Sequence, residues 1–177
     1  IDRLTKLATD LLDLSRLDAD AVTLRIETTD MAAVAREVAG EFAAAAERHR
    51  SEIRVLADQR KKPLVQADRA RTAQILRILI DNALKHTAPG TEITITSSSS
   101  TSACRLAVTD DGPGIDPASR ERVFERFFTA DSVSGSGLGL AIARELAQLM
   151  GGDVELETRR RRTIFTLTLP ATVGAAA

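Results

Sequence analysis

Three short stretches carry residue types that could do chemistry. In Asp81-Asn82-Ala83-Leu84-Lys85-His86-Thr87 an amide and a cation stand three positions apart at the end of an apolar run. On a helix that spacing puts Asn82 and Lys85 on one face. A neutral oxygen donor beside a flexible ammonium suits a Mg²⁺–phosphate pair, because Mg²⁺ takes few protein oxygens and completes its shell with water and phosphate. The same residues would also suit a plain helix end, where a Lys complements the helix dipole. In Val108-Thr109-Asp110-Asp111-Gly112-Pro113-Gly114-Ile115 an apolar run ends in a carboxylate followed by glycines two apart. The carboxylate can accept from an amino group while the backbone approaches a ligand closely, although alone the segment is also an ordinary Asp-Gly turn. Gly135-Ser136-Gly137-Leu138-Gly139-Leu140 runs into a predicted helix. Its glycines expose amide donors at a helix N-terminus, which favours anions. No predicted strand immediately precedes it, so a dinucleotide-binding βαβ unit is excluded.

These segments need a scaffold, and the pattern around them supplies one. The chain has 177 residues, of which 44% are apolar, enough for one core. A formal net charge of −1 argues against a general nucleic-acid binder. The single Cys104 excludes an internal disulfide framework and multi-cysteine metal sites, and it reads as a small packed hydrophobe. Two histidines, His49 and His86, exclude a His-rich metal cluster. No run approaches the length of a membrane span, so the segment is expected to be soluble. It begins at Ile1 and is expected to be part of a longer chain.

Residues 1–19 read as an amphipathic helix, with Leu4, Leu7, Leu11 and Leu14 at 3-4-3 spacing as a bundle seam and Lys6, Asp10 and Asp13 on the solvent side. That stripe leaves dimerisation or domain swapping through residues 1–19 open. Val22–Glu27 alternates as a strand, and Asp30 can cap one long Ala-rich helix reaching about His49. Ile53–Leu56 and Leu64–Ala67 are further strands, and Asp68 caps an apolar helix ending near Thr87, before Pro89-Gly90. Glu92–Ser97 pairs with Arg105–Thr109, residues 110–137 are irregular, Leu138–Met150 is helical, and Asp153–Glu157 pairs with Ile164–Leu169 across Arg159–Arg162. That arginine run, with no interleaved aromatic residue, reads as a solvated loop and not a nucleic-acid patch. The expected fold is a two-layer α/β sandwich with a mixed, mostly antiparallel sheet, preceded by one helix and followed by a disordered tail at 171–177.

The order of the motifs is more specific than any one of them. Asp81–Thr87, Asp110–Ile115, the cluster Val123-Phe124-Glu125-Arg126-Phe127-Phe128 and Gly135–Leu140 resemble the N box, first glycine box, F box and second glycine box of the ATP-binding domain of two-component sensor histidine kinases. Phe165-Thr166-Leu167-Thr168-Leu169-Pro170 resembles that family's closing strand, and residues 1–19 resemble the second helix of its dimerisation and phosphotransfer hairpin. The resemblance implies a Bergerat-type ATP-binding catalytic domain over 21–170, with 1–20 as the hairpin helix. It implies that Asn82 holds Mg²⁺ and that Lys85 contacts phosphate, with His86 near the phosphates. Asp110 would accept from the adenine amino group, and Gly112, Gly114 and Ile115 would shape the adenine pocket. Phe128, Gly135, Gly137, Leu138 and Gly139 would contact the nucleotide or hold the lid, for which the clustered phenylalanines act as hinge and anchor. The implied reaction is transfer of the γ-phosphoryl group of MgATP to a histidine.

The same resemblance implies an acceptor histidine on the hairpin's first helix, ahead of Ile1 or on a partner protein, since neither His49 nor His86 has that context. It also implies a downstream response regulator and a cytoplasmic domain whose parent is anchored in the membrane. Ile78 stands where the family usually has another Asn, Thr129 replaces a common Arg, and residues 129–134 make a short lid. The ATP-hydrolysing relatives carry a general-base Glu at the Ile78 position, and Ile cannot activate water. The alternative reading is a nucleotide-binding or partner-docking module without transferase activity.

Overall fold

The computed structural model describes residues 2–19, 21–57, 62–129, 135–159 and 162–172. The chain begins with helix α1 (Asp2–Asp18), then strand β1 (Ile26–Asp30), helices α2 (Met31–Glu41) and α3 (Ala43–His49), and strands β2 (Glu52–Leu56) and β3 (Leu64–Asp68). Helix α4 (Arg69–His86) leads to β4 (Glu92–Ser99) and β5 (Ala103–Asp110). Two single 3₁₀ turns, Pro117–Ser119 and Arg122–Phe124, interrupt the irregular stretch before α5 (Gly139–Leu149), and the hairpin β6 (Asp153–Arg159) and β7 (Arg162–Pro170) closes the fold.

Five strands form one sheet in the order β2-β4-β5-β7-β6, in which β2 and β4 are parallel and the other neighbours antiparallel. A second sheet pairs β1 with β3. One face of the large sheet is apolar: Ile93, Ile95, Leu106, Val108, Phe165 and Leu167 join Val34, Val38, Ile75, Leu76, Leu79 and Ile142 of the helices in one buried cluster. The alternate residues Thr94, Thr96, Thr166 and Thr168 are less buried, the period-2 signature of a sheet covered on one side. The expected two-layer sandwich with a mixed, mostly antiparallel sheet is therefore what forms.

Local chemistry explains the element starts. The Asp30 carboxylate accepts from the backbone N–H groups of Ala32 (2.9 Å) and Ala33 (3.1 Å), and Asp68 accepts from Arg71 N–H (3.0 Å), so both helices begin where orphan donors find an acceptor. Several expectations need correcting. The strand expected at Val22–Glu27 begins only at Ile26, because pairing with β3 in the register Ile26↔Asp68, and not side-chain alternation, sets its limits. The single long helix breaks at Phe42, whose ring packs against the core two residues after the weak helix former Gly40. The leucine seam of α1 also divides. Leu14 is buried, Leu7 and Leu17 pack against the domain's own core, and Leu4, Leu11 and Leu12 are exposed. In the expected tail, Ala171 pairs with Val65 and Thr172 donates from its N–H to Leu64 O, tying the chain to β3. The rest of that tail, most of the short lid, and Arg160 and Arg161 lie outside the described residues. Cys104 is buried, as expected of a small hydrophobe.

Candidate functional site

Helix α4 turns one face to the core through Ile75, Leu76, Leu79, Ile80 and Ala83. Its other face brings Ile78, Asp81, Asn82 and Lys85 to a cavity of about 260 Å³, the i, i+3, i+4, i+7 stripe of a helix flank. His86, at the helix end, joins them. The Asp81 carboxylate accepts from two ammonium groups at the same oxygen: Lys85 Nζ at 2.6 Å and Lys6 Nζ of α1 at 2.5 Å. Burial pulls the Asp81 carboxyl upward, but the two lysines outweigh it and hold the group below its usual value. The Lys6 ammonium is held above its ordinary value, since burial, which works against the charge, is outweighed by Asp81. The Asn82 side-chain amide is half-buried beside this cluster and has no hydrogen-bond partner among the described residues. A free amide oxygen at a cavity wall is an available ligand.

Strand β5 delivers Asp110 to the opposite wall. This carboxylate is buried, and one oxygen accepts from the Gly112 N–H at 3.0 Å. Burial pushes its pKa upward, against the pull of Gly112 and of the Thr163 hydroxyl on β7. A buried acceptor at a cavity edge has unused capacity for a donor from a ligand. Gly114 and Ile115 line the cavity with it. Gly112 does not; it is needed for the turn, because a Cβ there would stand 2.7 Å from Thr87 Cγ2 and 2.8 Å from Asp110 Oδ1.

The glycine-rich segment forms the third side. Gly135, Gly137 and Gly139 all line the cavity, with α5 starting at Gly139 so that its free N–H groups lie at the rim. Gly137 has φ +68, and a Cβ there would lie 2.6 Å from the Phe127 backbone carbon. Phe127 is itself left-handed (φ 65), donates its N–H to Gly137 O at 2.9 Å, and is 64% exposed. The three clustered phenylalanines thus differ in what they do. Phe124 meets Phe165 edge-on at 6.2 Å, Phe128 lines the cavity with the Arg122 guanidinium 4.6 Å above its ring, and Phe127 fastens the glycine segment through its backbone. Leu138, expected among the nucleotide-contacting residues, has its side chain wholly in the core. An apolar residue between two glycines is drawn inward because it is the segment's anchor.

Ten of the twelve expected site residues therefore line one cavity, and Gly112 and Leu138 support it from behind. Sequence reasoning missed Lys6 and Asp10 of α1, which are expected on the solvent side and instead face the cavity. The Asp10 carboxylate accepts from the Ser136 hydroxyl at 2.7 Å. Their i, i+4 spacing is the signal that could have found them, a polar stripe beside the leucines. Thr163, also missed, carries no sequence signal; only strand pairing with Asp110 brings it there. Among the described residues no cluster of three or more His, Cys, Asp or Glu could hold a metal, and no helix is long and apolar enough to cross a membrane.

Residues 67–173 match the family described as histidine kinase-, DNA gyrase B- and HSP90-like ATPases. Sensor protein IrlS of Burkholderia pseudomallei (strain K96243) is 39% identical over 96% of this chain, which spans 37% of that protein. The structure of full-length ShkA in complex with AMPPNP superposes with a TM-score of 0.87 at 34% identity, over 99% of this chain and 37% of that one. Histidine kinase ThkA in complex with response regulator protein TrrA gives a TM-score of 0.81 at 26% identity, over 99% of this chain and 50% of that one.

Proposed function

This chain belongs to the histidine kinase-, DNA gyrase B- and HSP90-like ATPases as an ATP-binding catalytic domain of the sensor histidine kinase kind, and we propose that it passes the γ-phosphoryl group of bound ATP to a histidine on a helical hairpin outside these 177 residues. The observation that carries this reading is the convergence of the α4 stripe, Asp110 and the glycine-rich segment on one cavity.

Each wall then has its own role. Asp110 accepts from the adenine amino group, and Ile115 and Gly114 receive the ring. Lys85 meets the phosphates, and the amides at the start of α5 meet their negative charge. The residues fit a Mg²⁺ ion, because the free Asn82 amide can supply one oxygen while phosphates and water supply the rest. When bound, that ion would neutralise charge on the phosphate oxygens. Transfer itself asks little covalent chemistry of the protein. The acceptor imidazole nitrogen forms a bond to the γ-phosphorus as the bond from that phosphorus to the β–γ bridging oxygen breaks, and ADP leaves. Ile78 lines the cavity with no proton-accepting atom, Asp81 is held by two lysines, and nothing else at that position activates water. That favours transfer to a protein acceptor over hydrolysis.

The chain would then act in two-component signalling, with a response regulator as the next acceptor and the longer protein anchored in the membrane. The test incubates the full chain with γ-labelled ATP and a helical hairpin protein carrying the acceptor histidine of a related sensor kinase. Acid-labile, base-stable label on the hairpin is expected. ATP bound without label on the hairpin, or ATP not bound, overturns the reading.

A further inference from the structure

Helix α1 lies wholly outside the stretch that carries the family match, yet two of its side chains face the cavity. Lys6 shares one Asp81 oxygen with Lys85, at 2.5 and 2.6 Å, so the two ammonium groups stand side by side. One turn along, Asp10 receives the Ser136 hydroxyl from the glycine-rich segment at 2.7 Å. Among the described residues lining the cavity, Lys6 and Lys85 carry the fixed positive charge, while Asp10, Asp81 and Asp110 carry negative charge. Of the fixed positive charge on these described lining residues, half therefore comes from α1.

We propose that Lys6 is a second phosphate-contacting residue of this site, acting with Lys85 to read the terminal phosphate of a nucleoside triphosphate. This rests on the reading of the cavity as an ATP site. Two ammonium groups share one Asp81 oxygen, and Asp81 needs only one of them for neutrality, while the neighbouring Asp10 carboxylate is engaged by the Ser136 hydroxyl. The Lys6 side chain is half-exposed, so its ammonium is not locked onto the carboxylate by packing and can turn to a phosphate oxygen. The i, i+4 spacing of Lys6 and Asp10 explains how α1 is held in position, since Asp10 fastens to the glycine-rich segment while Lys6 reaches over α4. The consequence is discrimination by phosphate count, because an added terminal phosphate brings the negative charge that a second ammonium answers.

The competing role for the same geometry is a strap, in which Lys6 merely holds α1 against α4 and stands in the nucleotide's way. The two roles predict opposite signs. Calorimetric titration of the full 177-residue chain with ATP, ADP and AMP, with Mg²⁺ present, separates them. Lys6→Ala is expected to weaken ATP about tenfold, ADP by less, and AMP not at all, and Lys6→Arg is expected to restore most of the ATP affinity. Lys6→Met, which keeps the aliphatic stem, is expected to behave as Lys6→Ala, so the loss follows the charge and not packing. Equal weakening of all three nucleotides, unchanged binding, or tighter ATP binding overturns the proposal and leaves the ATP-site reading standing. A parent chain that binds none of the three overturns both.

Discussion

Asp110→Asn tests the purine-reading role most directly, because it changes hydrogen-bond polarity at constant shape. In the parent, one carboxylate oxygen is committed to the Gly112 N–H at 3.0 Å, and the group lines the cavity. An asparagine must keep its carbonyl oxygen on Gly112, since turning the NH₂ there would set donor against donor. The NH₂ then occupies the place of the second carboxylate oxygen and confronts the adenine amino group. Losing a hydrogen bond to a charged acceptor costs about 1.5–3 kcal/mol, equivalent to an affinity loss of about 10- to 150-fold for ATP. Inosine triphosphate, which carries an acceptor at the same ring position, should lose little or gain. The variant should not be less stable. Burial raises the folded-state pKa of Asp110, so the parent loses stability as pH rises from the unfolded carboxyl value of about 4 through that raised value. The asparagine escapes this loss, and its thermal midpoint relative to the parent should improve toward neutral pH. The assay is calorimetric titration with both nucleotides beside melting curves at several pH values. ATP affinity within twofold of the parent, or ATP and inosine triphosphate weakened alike in a folded variant, refutes the role.

Asn82→Ala should weaken ATP binding in the presence of Mg²⁺ and leave binding in excess chelator unchanged; equal effects in the two titrations would show that Asn82 does not serve the metal. Leu138→Ala should cost about 2–5 kcal/mol of stability as a wholly buried leucine is truncated, visible as a lowered denaturation midpoint, whereas a nucleotide-contacting Leu138 would instead lower affinity at unchanged stability. Asp81→Asn should destabilise the protein near neutral pH. Because its carboxyl is held below the usual value, that contribution is complete above the unfolded value of about 4 and is lost as pH falls through the lowered folded value. The gap between parent and variant in denaturant midpoint should therefore close in acid, and a gap that widens as pH falls contradicts the Lys6–Asp81–Lys85 cluster.

Much of the site could be read from local sequence because its parts are local. Asn82, Lys85 and Ile78 share a helix face by period alone, Asp110 ends an apolar strand, and Gly137 occupies a backbone conformation that excludes other residues on both φ and space. The element starts were legible for the same reason, since Asp30 and Asp68 cap helices through contacts two to three residues away. What escaped was set by distant partners. The limits of β1 come from β3, far along the chain, and the break at Phe42 comes from the core the ring enters. The inward face of Leu138 and the distribution of the α1 leucines likewise depend on packing surfaces that no local window contains.

The sequence by itself determined the inventory: an amide and a cation one helical turn apart, an acid at a strand end, a glycine-rich approach to a helix, and enough periodic apolar residues to assemble them. Tertiary structure alone decided that Lys6 and Asp10 belong with that inventory. Side-chain periodicity says which residues share a face, but which face meets a cavity is settled only when another part of the chain closes over it. Here α1 lays one leucine-lined side on the domain and thereby carries its polar flank to the cavity rim.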